Sequence, residues 1–215
     1  MQWKNYIWVG LIALIGTSCA EKEKAENEKL TIVTTTGMIA DAVKNITGDK
    51  ADVIALMGPG VDPHLYKASQ GDIEKLRSAD IVFYNGLHLE GKMQEIFASL
   101  AKEKPVFAVS DGINKERLLK LHTEGDKILY DPHIWFDVGL WQEATHFMLQ
   151  QLIQTDGANA ESYIASGTAY LDSLNQLQAY VMYTLQTIPP TNRILITSHD
   201  AFEYFGRAYI SVRVA

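Results

Sequence analysis

The sequence predicts an α/β protein: a mostly parallel sheet flanked by helices, one long rigid helix, and the start of a second α/β lobe. Three observations carry this. Short β-branched runs alternate with helix-period segments between residues 30 and 155, the order that builds a parallel sheet with helices on its faces. A single apolar stripe then recurs at helical spacing over roughly 30 residues. After Pro189-Pro190 the strand and helix signals begin again.

The first stretch is separate from that pattern. Lys4 precedes the apolar run of residues 7–15, which is too short to span a bilayer and reads as the core of a secretory signal. Gly16-Thr17-Ser18-Cys19 follows, with small residues before the only cysteine, and resembles a bacterial lipoprotein signal whose cysteine is lipidated. Residues 1–19 are therefore expected to be a lipoprotein-type signal. Residues 20–29, rich in Glu and Lys without apolar period, are expected to be a solvated tether. A lone cysteine forms no internal disulfide, and an exported location is compatible with that. The net charge of −7 argues against a nucleic-acid partner and permits a cationic ligand.

Leu30-Thr31-Ile32-Val33-Thr34-Thr35 reads as the first strand. Met38, Ile39, Ala42, Val43 and Ile46 fall on one helical face that stops at Gly48. Residues 51–57 form a second strand, 69–78 a short helix, 80–84 a third strand ended by Asn85-Gly86, 93–102 a helix and 105–109 a fourth strand. Residues 111–131 are polar and less regular, with one short apolar run at 127–130. An amphipathic helix covers about 138–153, and Asp156-Gly157 marks a break. These elements make up a first lobe, residues 30–155.

The stripe of Tyr163, Gly167, Tyr170, Leu174, Leu177 and Val181 predicts a helix over 157–188, ended by Pro189-Pro190. At about 1.5 Å per residue it is a rod of ~45 Å. Residues 193–198 read as a strand, a helix should begin near residues 199–202, and 209–214 should start another strand. Residues 191–215 are thus the start of a second lobe that looks cut short.

Chemistry concentrates at three histidines. His64 sits in the turn-rich stretch Gly58-Pro59-Gly60-Val61-Asp62-Pro63-His64-Leu65-Tyr66, and its Asp-Pro-His recurs at Asp131-Pro132-His133. His199 closes the apolar run Ile194-Leu195-Ile196-Thr197-Ser198. Each follows an expected strand, and open α/β sheets bind ligands outside the carboxyl ends of their strands. Neutral imidazole suits zinc, manganese, iron, copper and nickel, whereas calcium and magnesium call for oxygen donors. His64, His133 and His199 are therefore the candidate ligands of one transition-metal ion, with Tyr66, Trp135 and Phe136 able to wall it from water. His122 and His146 are expected to face solvent. His88 follows the third strand and is a candidate to support a ligand; Glu90 and Asp200 read as solvated turn or helix-start charges.

Taken together, the leader, the two Asp-Pro-His stretches, Asn85-Gly86-Leu87-His88-Leu89-Glu90, Asp131-Pro132-His133-Ile134-Trp135 and Thr197-Ser198-His199-Asp200-Ala201-Phe202 resemble the metal-binding solute-binding proteins of bacterial zinc/manganese ABC importers. The resemblance covers about residues 30–210. It implies two α/β lobes joined by a rigid helix with the metal between them, His64 and His133 from the first lobe and His199 from the second. A fourth, carboxylate ligand would lie beyond residue 215. It implies Zn2+, or else Mn2+, as the transported ligand, and an ABC importer permease with its ATPase as partners. It also implies a monomer anchored to the membrane through Cys19, with no enzyme activity. A zinc-dependent hydrolase and a surface adhesin lipoprotein with incidental metal are the alternatives.

Overall fold

A computed structural model describes residues 29–124 and 127–210. The leader, Cys19 and all but the last residue of the tether lie outside the described residues, as do residues 211–215. The β-branched runs form β1 (Leu30–Thr34), β2 (Ala51–Ala55), β3 (Ile81–Tyr84) and β4 (Val106–Ala108). Between them lie α1 (Gly37–Thr47), α2 (Gln70–Ser78) and α3 (Gln94–Leu100). The four strands pair in the order β2-β1-β3-β4, all parallel. The chain therefore moves outward from β1 to β2, then crosses back to β3 on the other side of β1. That reversal opens a crevice between the carboxyl ends of β1 and β3.

Alternation along the strands divides the core into two layers. Ile32, Ile81 and Phe83 point to the face covered by α1, and Ile39, Ala42, Val43 and Ile46 of that helix bury against them. Val33 and Val82 point the other way, onto Leu76 of α2 and Phe97 and Leu100 of α3. Both faces are thus covered, which is why these strands read as continuous apolar runs. Helix starts are locally encoded. Ser69 and Asp72 make a reciprocal capping box on α2.

Residues 111–131 are more regular than expected. They contain an antiparallel pair, β5 (Lys120–Glu124) and β6 (Lys127–Tyr130), with a register irregularity between Lys120 and His122. The pair is short and carries Lys and Glu, so its apolar content stays below the usual signal for a strand. Next comes α4 (Val138–Thr155), whose first N–H groups from Gly139 and Leu140 are taken by the Asp137 carboxylate.

After a 3-10 turn at Gly157–Asn159, α5 (Ala160–Gln186) packs back on α1 and α4. Asp156 accepts from the Tyr163 hydroxyl at 2.6 Å and from Asn159 at 2.8 Å, fixing the corner between α4 and α5. The expected apolar stripe on α5 is buried over only its first half. Tyr163, Gly167 and Leu174 are buried, whereas Leu177 is 45% exposed and Tyr180 and Tyr183 more so. The reason is length: α5 outruns the lobe it packs against.

The restart after Pro190 differs from expectation. Residues 193–198 form no sheet strand, and Leu195 alone makes a bridge. Ile194 and Ile196 remain exposed, because a strand is stable only when a neighbour pairs with it. The helix expected near 199–202 is a turn at Glu203–Phe205 running into π-helical turns at Gly206–Ile210. Tyr209 and Ile210 belong to those turns, and the remainder of that expected strand lies outside the described residues.

Close packing makes one glycine a sharp probe. At Gly112 an added Cβ would collide with the Phe147 Cβ and lie 3.2 Å from the Glu143 carbonyl oxygen, while at Gly157 it would meet nothing within 4 Å. Gly112→Ala is expected to lower stability by about 1–3 kcal/mol and Gly157→Ala to change it by less than about 0.5 kcal/mol, measured by urea denaturation.

Candidate metal centre

Both Asp-Pro-His stretches fold by the same local bond. The Asp62 carboxylate accepts the His64 N–H at 2.9 Å, and the Asp131 carboxylate accepts the His133 N–H at 2.9 Å. These are Asx-type turns, in which the aspartate side chain mimics a backbone acceptor two residues ahead. Proline between them fixes φ and lowers the entropy lost on ordering the loop. In the first copy Gly60, at φ 82°, lets the chain turn out of the run after β2.

The second copy adds a bond. The Asp131 carboxylate also lies 2.6 Å from the His133 Nδ1. Aspartate can only accept, so Nδ1 carries the proton and Nε2 presents its lone pair. Both groups are buried, with Asp131 1% and His133 5% exposed.

The structure brings His64, His133 and His199 together. The Nε2 of His133 lies 3.1 Å from the Nε2 of His64 and 3.3 Å from the Nε2 of His199. One ligand atom from each of the three lies within 4.8 Å of the others. A tetrahedral ion with metal–nitrogen bonds of roughly 2.0–2.1 Å places neighbouring nitrogens about 3.3–3.4 Å apart. The donor set thus fits one small borderline cation with little movement. The ring planes are tilted by 54° to 78° from one another, so their lone pairs converge without stacking.

The electrostatics favour a neutral ring at His64. Burial pushes the His64 pKa below its ordinary value, the His133 imidazole pushes it the same way, and Asp62 pulls against both. Trp135 lies edge-on to His133 at 5.3 Å, so one aromatic ring covers a side of the cluster, while Phe136 packs on Phe202 at 4.3 Å. Tyr66 does not wall the site as expected. It packs in the layer beside α2 and gives its hydroxyl to Asp72 at 2.7 Å.

The segment carrying His199 is anchored by residues that sequence reasoning missed. The Tyr204 hydroxyl donates to the Asp131 carbonyl at 2.9 Å and accepts from the Leu119 N–H at 3.1 Å; burial raises its pKa to about 12. Arg207 donates to the Arg117 carbonyl at 2.6 Å, and the Tyr209 hydroxyl accepts the Val138 N–H at 2.9 Å. These partners are 71 to 90 residues away in the chain, and no local pattern announces them.

The other histidines stay apart. His88 is exposed at φ 65°, and His146 is exposed on α4 beside Gln150. The side chain of His122 lies outside the described residues. Asp200 is exposed in a bend, before a helical turn whose cap is Phe202. Glu90 corrects the expectation of a solvated charge: it is wholly buried at the carboxyl ends of β1 and β3. Burial pushes its pKa up against the pull of hydrogen bonds from Thr35, Asn85 and Gly86.

The family model for the periplasmic component A of the zinc-uptake complex, ZnuA, matches residues 32–212. The chain belongs to this family. Among ZnuA-family relatives, it is 42% identical over 201 residues to the zinc-binding protein TroA of Treponema pallidum, covering 94% of this chain and 64% of that protein. It is 41% identical over 197 residues to the manganese-binding lipoprotein MntA of Bacillus subtilis, covering 92% and 63%. The solved structure of the Treponema pallidum periplasmic zinc-binding protein TroA superposes with a TM-score of 0.80 at 45% identity, over 85% of this chain and 64% of that one. Fe(III)-bound YtgA from Chlamydia trachomatis superposes at 0.77 and 32% identity, over 86% and 64%. The chain therefore spans about 64% of the length of the relatives it matches. The α/β architecture with a parallel sheet is that of the ZnuA family.

The lowered His64 pKa makes a signed prediction. An unfolded imidazole takes its proton near pH 6.5, whereas folded His64 takes it only at lower pH. Its contribution to stability is complete above about pH 6.5 and is lost as pH falls through the lower folded value. The urea midpoint of the metal-free chain should therefore drop between about pH 7 and pH 5.5, and His64→Gln should shrink that drop. An unchanged pH dependence in the variant contradicts the assignment.

Proposed function

We propose that this ZnuA-family chain is the capture component of a metal importer. Outside the cytoplasm it takes up a divalent transition metal, zinc or manganese, and delivers it to an ABC permease coupled to an ATPase. The observation that carries the reading is the convergence of three imidazole Nε2 atoms, with that of His133 3.1 Å from His64 and 3.3 Å from His199. The names of its relatives support it. They include zinc-binding TroA, manganese-binding MntA and, at 32% identity, the manganese ABC transporter substrate-binding lipoprotein PsaA of Streptococcus anginosus.

His64, His133 and His199 act as the ligands in this reading. Three nitrogen donors favour zinc and leave at least one position of a tetrahedral ion open to an oxygen donor. Asp131 fixes the tautomer and the orientation of His133. Capture needs unprotonated rings, so affinity falls with pH and metal binding releases protons. No bond of a substrate is made or broken, which sets the carrier apart from a zinc hydrolase.

Residues 30–155 serve as one lobe, α5 as a stiff link and residues 191–210 as the beginning of the other lobe. The length of α5 beyond the lobe supports the link. Anchoring through a lipid on Cys19 follows from the leader sequence, and a single copy of the chain suffices to assemble the three ligands.

Isothermal titration and chelator competition test the reading. His64→Ala, His133→Ala and His199→Ala should each weaken zinc binding by more than the roughly 10–100-fold that loss of a ligand's outer partner costs, while His146→Ala leaves it unchanged. Equal affinity in all four, or no binding by the parent chain, contradicts the function.

A further inference from the structure

The crevice between β1 and β3 is where open sheets of this topology hold a ligand, and here a side chain of the protein occupies it. The Glu90 carboxylate accepts the Thr35 hydroxyl at 2.6 Å and the Asn85 N–H at 2.7 Å on one oxygen. It accepts the Gly86 N–H at 3.2 Å on the other. Thr35 directly follows β1 and Asn85 directly follows β3, so one carboxylate joins the ends of the two central strands.

The turn around it is unusual. Gly86, Leu87 and His88 all take positive φ, at 84°, 51° and 65°. Two successive non-glycine residues in that region are costly, and such conformations persist only where their surroundings enforce them. Gly86 has no room for a side chain, since a Cβ there would collide with the Ser110 hydroxyl and lie 2.9 Å from the Ala108 Cβ. The result is a turn whose N–H groups close on a buried carboxyl group, the geometry of a backbone nest.

Two of the three partners of Glu90, Thr35 and Asn85, each lead to one histidine loop. The Thr35 carbonyl accepts the Met57 N–H at 2.9 Å, where the chain enters the His64 loop. The Asn85 side chain donates to the Pro132 carbonyl at 3.0 Å, the residue just before His133. The carboxylate is therefore the shared node of two short hydrogen-bonded paths, one to each of the rings whose Nε2 atoms lie 3.1 Å apart.

We propose that Glu90 is a positioning residue of the metal centre, tying the His64 loop to the His133 loop so that their Nε2 atoms are held at the separation one cation requires. This rests on the metal-capture reading above. Glu90 touches no metal ligand; it acts through Thr35 and Asn85. In Glu90→Gln an amide NH2 replaces one acceptor oxygen, so either the Gly86 N–H or the Asn85 N–H faces another donor and the node is weakened while its volume is kept.

The test compares the parent chain with Glu90→Gln, Asn85→Ala, Thr35→Val, Thr35→Ser and Asp156→Ala. The last removes the acceptor at the α4–α5 corner and serves as a stability control remote from the node. Zinc affinity is read by chelator competition, site symmetry by the visible absorption of the cobalt(II)-loaded protein, and stability by metal-free urea unfolding. Glu90→Gln and Asn85→Ala should bind zinc about 10–100-fold more weakly with an altered cobalt spectrum. Thr35→Val should move the same way and Thr35→Ser should match the parent. Asp156→Ala should unfold earlier yet keep the parent's affinity and spectrum. A folded Glu90→Gln with parental affinity and spectrum overturns the proposal, as does an Asp156→Ala that loses affinity in step with stability. Should Glu90→Gln fail to fold, the Thr35 pair and Asn85→Ala decide by the same readouts. A parent chain that binds neither zinc nor cobalt refutes the capture reading, and the proposal with it; that result is distinct from variants that match a binding parent.

Discussion

Asp131 takes both the backbone N–H and the ring Nδ1 of His133, and much of the site follows from that double bond. It settles which ring nitrogen is protonated, and so which one is free to bind. It also fixes where that lone pair points, because a ring held at Nδ1 and at its own backbone can no longer swing about χ1. The Asp131 carbonyl is occupied in turn by the Tyr204 hydroxyl, on the segment that carries His199. The Pro132 carbonyl is occupied by Asn85 at the end of β3. One short turn is thereby the junction between the sheet, the His199 segment and the buried carboxylate of Glu90.

Holding three imidazoles this close has a cost that the rest of the lobe offsets. Each ring must stay neutral, and burial does this for His64 at the expense of some stability at low pH. The loop that carries His64 leaves a sheet buried on both faces, and the His133 turn, which follows β6, is tied to the end of β3 through Asn85, so small displacements of either are resisted by close-packed layers beneath them. His199 is different. It is the exposed member of the cluster, and its segment contributes no strand to a sheet among the described residues. The hydrogen bonds of Tyr204, Arg207 and Tyr209 take the place of a sheet in seating it. Two donors on embedded turns thus face a third on a less embedded segment.

What could be read from the sequence was whatever local chemistry encodes. The strands β1 to β4 are legible because each is a β-branched run bounded by turn residues. The Asp-Pro-His repeat is legible because an aspartate two residues before an N–H makes the same turn wherever it occurs. The strand expected at 193–198 did not form, since Ile194 and Ile196 satisfy the pattern of a strand without a neighbour to pair with. β6 coincides with the short apolar run at 127–130, whereas its partner β5 is concealed for the opposite reason, being polar in sequence yet paired in space. Glu90 was read as a solvated charge because its donors come from residues 35, 85 and 86, and Thr35 is 55 positions distant. Tyr204 was invisible in the same way. Long-range hydrogen-bond partners are what a single sequence conceals, and here they surround the site more closely than the local signals do.

Three imidazole nitrogens sharing one ion would define the centre. X-ray absorption of the zinc-loaded chain measures that directly through the number and type of scatterers in the first coordination sphere. Three imidazole nitrogens at about 2.0–2.1 Å, with any remaining position filled by oxygen, is the predicted result. Fewer than three imidazoles, or a sphere made wholly of oxygen, would contradict it.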